Sequence, residues 1–251
     1  MRQLAVAVSL CSVLVGFEAH AKCEPNGLYV FPAPGAVIPL NAKFILEGAG
    51  SEAARVSKLV GAGDLVFKST GDEVPVTVLR GWSSSAKRVA VILKPNSELM
   101  PNKSYTLAID GVLTGYKVLN PNAAEKLTWR TGAVSDNSPP RYQVKPTVAE
   151  GLYSKDADGV TRQLKIRTTL EEEGPAYFLA TVQRARGNPA KQVYPVVING
   201  GDAVLGQDAC SGSFTFDDGR AYKIWLETFD SAGNKTVEKL PVIEAQAPRP
   251  Q

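Results

Sequence analysis

The chain holds a single histidine, His20, and three cysteines, Cys11, Cys23 and Cys210, in 251 residues. His20 and Cys11 both fall in an N-terminal stretch with the marks of a secretory signal. Met1 and Arg2 lead into an apolar run from Leu4 to Phe17, and Ala19-His20-Ala21 supplies the small residues of a cleavage site. Cleavage after Ala21 leaves a mature chain with no histidine. Serine and cysteine hydrolases of the usual kind need an imidazole to take the proton of the nucleophile, and that base is then missing. Two cysteines without histidine also cannot supply the four soft ligands of a zinc or copper site. What remains is chemistry run by carboxylates, lysine, tyrosine or Ser-Lys pairs, together with hard-cation binding through oxygen. Two-carboxylate glycoside hydrolysis stays open on composition, but no segment joins paired acids to the aromatic lining of a sugar cleft.

In an exported chain, Cys23 and Cys210 are most simply one disulfide between the N-terminal strand and the second half. The rival reading makes Cys23 the lipid-bearing residue of a lipoprotein, but Lys22 stands where a lipobox needs a small side chain. Asp156-Ala157-Asp158-Gly159 resembles part of a calcium loop, yet an EF-hand frame would put Ser154 first and Lys165 twelfth, with no flanking helices; the other reading is a polar hairpin turn. Glu171 to Glu173, ahead of Gly174-Pro175, reads as a cation-attracting patch or as a solvated strand end. Asn199-Gly200-Gly201-Asp202 has no helix to complete a phosphate cradle and reads as a β-turn. No catalytic residue, metal ligand or cofactor site is assigned.

Aromatic residues carry the candidate contacts. Trp82 follows Gly81 where a strand runs towards the Ser83-Ser84-Ser85 loop, and Arg80 lies on the same side, so the pair can stack on a sugar or a peptide side chain; packing at the end of a core is the competing role. Trp225 alternates with Tyr222, Ile224 and Leu226, which places it on the opposite face with Lys223, Glu227 and Phe229. Trp225 and Phe229 side by side and partly exposed mark an interface, and its occupant is either the first half of the chain or another molecule.

These residues sit among strand signals. Large apolar residues recur every second position in Val74 to Val78, Val89 to Leu93 and Tyr105 to Ile109, and again in Gln163 to Thr168, Tyr177 to Val182, Val193 to Ile198 and Tyr222 to Thr228. Turn clusters such as Ser69 to Asp72 and Pro101 to Ser104 separate them about every ten residues, the spacing of antiparallel sandwiches. Short helices are expected only at Glu52 to Lys58 and Asn122 to Lys126. A last strand is expected near Lys235 to Val242, after the turn Asp230-Ser231-Ala232-Gly233-Asn234, and the tail from Ala245 is expected to be disordered.

Gly132 to Pro140 interrupts the pattern with small, polar and proline residues. The expected organisation is therefore a signal peptide over 1–21, a sandwich over 22–134, a linker over 135–140, a second sandwich over 141–244 and a tail over 245–251. The net charge of +3, concentrated in the first half, is too mild for a nucleic acid or other polyanionic partner. No second long apolar stretch follows the signal, so no transmembrane anchor is expected after cleavage.

The first half resembles a bacterial Ig-like domain of the kind found in surface-layer and other exported proteins. The resemblance rests on Pro34-Gly35-Ala36-Val37-Ile38-Pro39-Leu40-Asn41, on Leu99 to Ile109 with its Pro101-Asn102 turn and Tyr105, and on the closing Trp129-Arg130-Thr131-Gly132. In the second half, Asp230 to Asn234 is similar to the final hairpin of Ig-like and fibronectin-like domains. The resemblance implies two antiparallel Ig-like β-sandwiches in tandem and a non-enzymatic binding or scaffolding module. That module would lie in the periplasm or outside the cell and recognise an envelope protein or polysaccharide by sandwich-end loops or a sheet edge. The alternatives are a carboxylate-based hydrolase of cell-wall or environmental polysaccharide, and a periplasmic assembly factor that donates or accepts strands.

Overall fold

The computed structural model describes residues 26–61, 65–109, 111–121, 123–157, 159–171, 174–187 and 189–250. Apart from one short helix, its regular structure is β. In the first half the strands are β1 (Gly27–Phe31), β2 (Val37–Ile38), β3 (Phe44–Ala49), β4 (Val66–Ser69), β5 (Asp72–Ser83), β6 (Arg88–Pro95), β7 (Ser104–Ala108) and β8 (Thr128–Thr131). Helix α1 (Ser51–Ser57) follows β3, as expected. The strands bond in the order β1-β3-β6-β5-β4-β7-β8-β2, antiparallel except for the β2–β8 pair.

This sheet is folded over on itself. β3 and β8 are five strand steps apart, about 24 Å in a flat sheet at roughly 4.8 Å per step. Yet the rings of Phe44 on β3 and Trp129 on β8 have centroids 4.8 Å apart, and Phe67 on β4 lies 4.7 Å from Phe44. The fold line is β5. Asp72 to Pro75 pair with β4 and Val76 to Ser83 pair with β6, so one long strand belongs to both layers. Between the layers Leu28, Val30, Phe44, Leu46, Phe67, Val91, Leu93 and Trp129 form the first core. The buried indole of Trp129 donates to the carbonyl of Pro32 at 3.0 Å, which satisfies its one polar atom.

The second half contains a sheet of order β13-β10-β9 and another of order β12-β11-β14-β15. Their strands are β9 (Tyr142–Lys155), β10 (Val160–Leu170), β11 (Ala176–Arg184), β12 (Gln192–Ile198), β13 (Asp202–Gln207), β14 (Ala221–Asp230) and β15 (Ile243–Gln246). Leu164, Ile166 and Leu205 of the first sheet pack with Phe178, Ala180, Ile224 and Leu226 of the second. The hydroxyls of Tyr142 and Thr228 hydrogen-bond between the two sheets. The expected turn at Asn199 to Asp202 joins β12 to β13.

Three expectations are corrected. Lys235 to Val242 contain no strand; beyond a single bridge between Phe229 and Lys235, the chain pairs again at β15, where Ile243 and Ala245 fall opposite Ile224 and Tyr222. Pro241 has no N–H to give a ladder, and the alternation that fits β14 begins after it. The start of the tail is consequently ordered: Ala245 and Gln246 belong to β15, and Ala247 is buried with its N–H on the carbonyl of Arg220 at 2.8 Å. Ala123 to Lys126 are not helical, because so short a segment cannot offset helix nucleation alone; Asn122 lies outside the described residues.

No strand pairing crosses from one half to the other among the described residues, but packing does. Phe31, Ile45, Trp82 and Ala90 belong to the same buried cluster as Tyr177, Phe178 and Leu226. β3 and β6 therefore bury both faces, one in each core. Polar contacts pin the two ends of this junction. At one end the Asn41 side-chain amide donates to the carbonyl of Asp136 at 2.7 Å and accepts its N–H at 3.0 Å, and the Lys43 N–H donates to the carbonyl of Ser231 at 2.7 Å. At the other, the Gly212 N–H donates to the carbonyl of Ala86 at 2.9 Å and Arg88 Nε to the Ser211 hydroxyl at 3.1 Å.

Candidate functional site

The site begins with one extra residue in β5. Val78 pairs with Leu93 and Arg80 with Ile92, so Leu79 is the surplus residue of a β-bulge. Side chains alternate faces along a strand, and an inserted residue reverses which positions point which way. Before the bulge, Val74 and Val76 face the first core. After it, Trp82, opposite Ala90, faces the junction instead. Arg80, two residues from Trp82, shares that face.

What Arg80 and Trp82 meet comes from far along the chain. β11 contributes Tyr177 and Leu179, β14 contributes Phe229, and the turn after β14 contributes Gly233. With Leu79, Ile92 and Lys43 they line a groove of about 240 Å³ between the halves. Tyr177 and Phe229 are cross-strand partners and stack at 5.4 Å with their rings 15° from parallel. Phe31 meets the edge of Tyr177 from the other half, at 5.4 Å and 70°. The Arg80 guanidinium lies over the Trp82 ring, 5.2 Å from its centroid. A methyl group on Gly233 would fall 2.3 Å from Lys43 Nζ; the absence of a side chain there makes room for the ammonium at the groove.

The electrostatics follow from this arrangement. No aspartate or glutamate lines the groove, whereas two cations do. Beneath it, burial pushes the Tyr177 phenol far above its ordinary range, with the Asp230 carboxylate adding to the effect. Burial likewise raises the Asp230 carboxyl, against the Asn234 side-chain amide and N–H, which donate to it at 2.9 and 2.8 Å and favour its charged form. The Trp82 indole Nε1 is buried without a hydrogen-bond acceptor among the described residues. The site is therefore aromatic and apolar in its walls and positive at its rim. It can hold an apolar group and attract a negative one.

Of the candidate residues, Trp82, Arg80 and Phe229 converge on this groove. Trp82 is not in an exposed loop: it lies within β5 and is 8% exposed. Trp225 is partly exposed on the face of β14 that carries Phe229, but it is engaged elsewhere, with Lys191 Nζ 4.9 Å from its ring centroid. Sequence reasoning did not single out Lys43, Leu79, Ile92 or Leu179 as site residues. A signal was present for the surface they line: Phe44-Ile45-Leu46, Val89 to Leu93 and Tyr177 to Ala180 are unbroken apolar runs, the mark of strands covered on both faces.

The Asp156 carboxylate accepts the Gly159 N–H at 3.1 Å in the turn between β9 and β10; Asp158, Glu172 and Glu173 lie outside the described residues, as does Cys23. Among the described residues no three or more of His, Cys, Asp and Glu are grouped to hold a metal ion. No helix there is long and apolar enough to cross a membrane.

The chain matches no protein-family model, and no curated protein. Among solved structures, a pullulanase type I from Bacillus subtilis str. 168, complexed with maltose, aligns with 87% of this chain and 27% of that chain at 10% identity and a TM-score of 0.25. A pullulanase from Anoxybacillus sp. LM18-11, complexed with maltotriose, aligns with 88% and 25% at 8% identity and a TM-score of 0.24. The tandem Ig repeats of Dlar align with 89% of this chain and 96% of that one at 10% identity and a TM-score of 0.20. The chain spans about a quarter of either pullulanase. At such TM-scores none of the three assigns a family, ligand or activity to it.

Proposed function

We propose that the protein is an exported, non-enzymatic binding or structural module of the bacterial cell envelope or exterior. In this reading two Ig-like β-sandwiches stand in tandem, signal cleavage falls near Ala21, and a partner is met at the groove between the halves. The observation that carries the reading is the Leu79 bulge, which turns Arg80 and Trp82 out of the first core and sets them beside Tyr177 and Phe229. The hydrolase alternative needs two carboxylates about 5 to 10 Å apart in an aromatic cleft; the aromatic surface here has no carboxylate in its lining. The Cys23 to Cys210 link belongs to the same proposal. It is supported by the place of Cys210, in a loop that already docks on the first half through Ser211 and Gly212.

A second reading, recognition along a sheet edge, is favoured by β9. It is a 14-residue edge strand with Val144, Val148 and Leu152 exposed at every fourth position. The two are separated by a photo-crosslinking amino acid placed at Leu79 or at Val148 in the exporting cell, with Val237, which is 80% exposed, as control. A discrete product from Leu79 alone, whose purified component rebinds the wild-type protein, is the expected result. A product from Val148 alone moves recognition to the β9 edge. Equal yields at Leu79 and Val237 remove the groove as the recognition site.

A further inference from the structure

The groove's walls, its size and its rim charges together specify what fits it. We propose that its ligand is an acidic polypeptide segment of a partner protein, one that inserts a single large apolar or aromatic side chain and places a neighbouring carboxylate on Arg80 and Lys43. This rests on the groove being the recognition site and goes on to name the chemistry recognised.

Charge comes first. Arg88 is paired with Glu47 and Lys235 with Glu227. Arg80 and Lys43 take part in none of them. The buried Asp230 carboxylate is already engaged by Asn234. The two cations thus reach the groove without a carboxylate of their own. Arg80 is also held in place over Trp82, so little side-chain freedom is lost when its planar fork meets a carboxylate.

Size decides between a small molecule and a side chain. The groove measures about 240 Å³, below the roughly 300 to 1,000 Å³ of ordinary small-ligand pockets. It suits one inserted ring or branched aliphatic group, the usual anchor of a protein interface. Trp82, Tyr177 and Phe229 supply ring faces and edges for that group, and the exposed Leu79 extends the apolar surface outward.

The test uses the mature full-length chain and fluorescein-labelled peptides with Asp-Phe-Asp, Lys-Phe-Lys or Asp-Ala-Asp at the centre of a Gly-Ser frame, read by anisotropy. Phenylbutyrate and a neutral glucose hexasaccharide serve as competitors. The expected result is that only the Asp-Phe-Asp peptide binds, that Arg80→Gln with Lys43→Gln weakens it roughly tenfold or more, and that neither competitor displaces it. Both positions are partly or fully exposed, so the variants should fold as the wild type does. Equal binding of the Lys-Phe-Lys peptide, or no effect of the double substitution, overturns the anionic specificity while leaving the groove as a site. Displacement by phenylbutyrate makes it a small-molecule site, and displacement by the hexasaccharide makes it a glycan site. Binding of none of the three peptides overturns the inference, and the Leu79 crosslink then decides separately whether the groove recognises anything.

Discussion

The contact between Phe31 and Tyr177 is the sharpest handle on whether the two halves share a core. Phe31 belongs to β1 and Tyr177 to β11; they are 3% and 5% exposed, and their rings meet edge to face at 5.4 Å. Phe31→Leu and Tyr177→Leu keep most of the apolar volume, so each should lose no more than about 1.5 kcal/mol from repacking. Each also removes the ring pair, about 1 kcal/mol beyond area burial. That pair can be lost only once, so the double variant should be more stable than additivity predicts, by about 1 kcal/mol. At roughly 2 to 4 °C per kcal/mol for a chain of this size, each single variant should melt several degrees lower. The assay is guanidinium unfolding of wild type, both singles and the double, followed by tryptophan fluorescence and by circular dichroism. One cooperative transition should serve both probes and move in every variant. Two transitions, with Phe31→Leu moving only one and Tyr177→Leu only the other, would refute the shared core. So would additivity within about 0.3 kcal/mol, the range expected of independent sites.

Three further outcomes follow from the same geometry. The Asp230 carboxyl is raised above its ordinary value of 3.8 by burial, so the folded state holds that proton more tightly than the unfolded state. The stability this contributes is full below the unfolded value and is lost as pH rises through the folded one; a pH series of urea midpoints should show wild type losing ground to Asp230→Asn over that window, and a constant difference would contradict the assignment. Gly206 has φ +125°, and a methyl group there would lie 2.1 Å from the Arg162 carbonyl oxygen. Gly206→Ala should therefore cost about 3 kcal/mol, and a melting temperature unchanged within 1 to 2 °C, against the several degrees expected, would show that β10 and β13 can part there at little cost. If Cys23 and Cys210 are linked, Cys210→Ser should free one thiol and destabilise by at most about 4 to 5 kcal/mol; peptide mapping of the exported protein without reductant tests the link directly.

The sequence by itself determined the local structure. Period-two alternation in β5, β7, β10 and β14 and the turn residues at Pro101-Asn102 and Asn199 to Asp202 each act within a few positions, and each marked its element. The helix at α1 was legible for the same reason. Only the tertiary structure decided the groove. Alternation along β5 puts Val74, Val76, Val78, Arg80 and Trp82 on one face, and pairing with β6 alone reveals the extra residue at Leu79 that divides them between two cores. Lys43 and Gly233 are 190 positions apart in the numbering, yet one side chain rests on the other's bare backbone. Trp225 and Phe229 share a strand face, and only packing sent Phe229 to the groove and Trp225 to Lys191. A strand's own residues decide which of them can be buried; which of its two faces meets another sheet depends on chain that returns from far away.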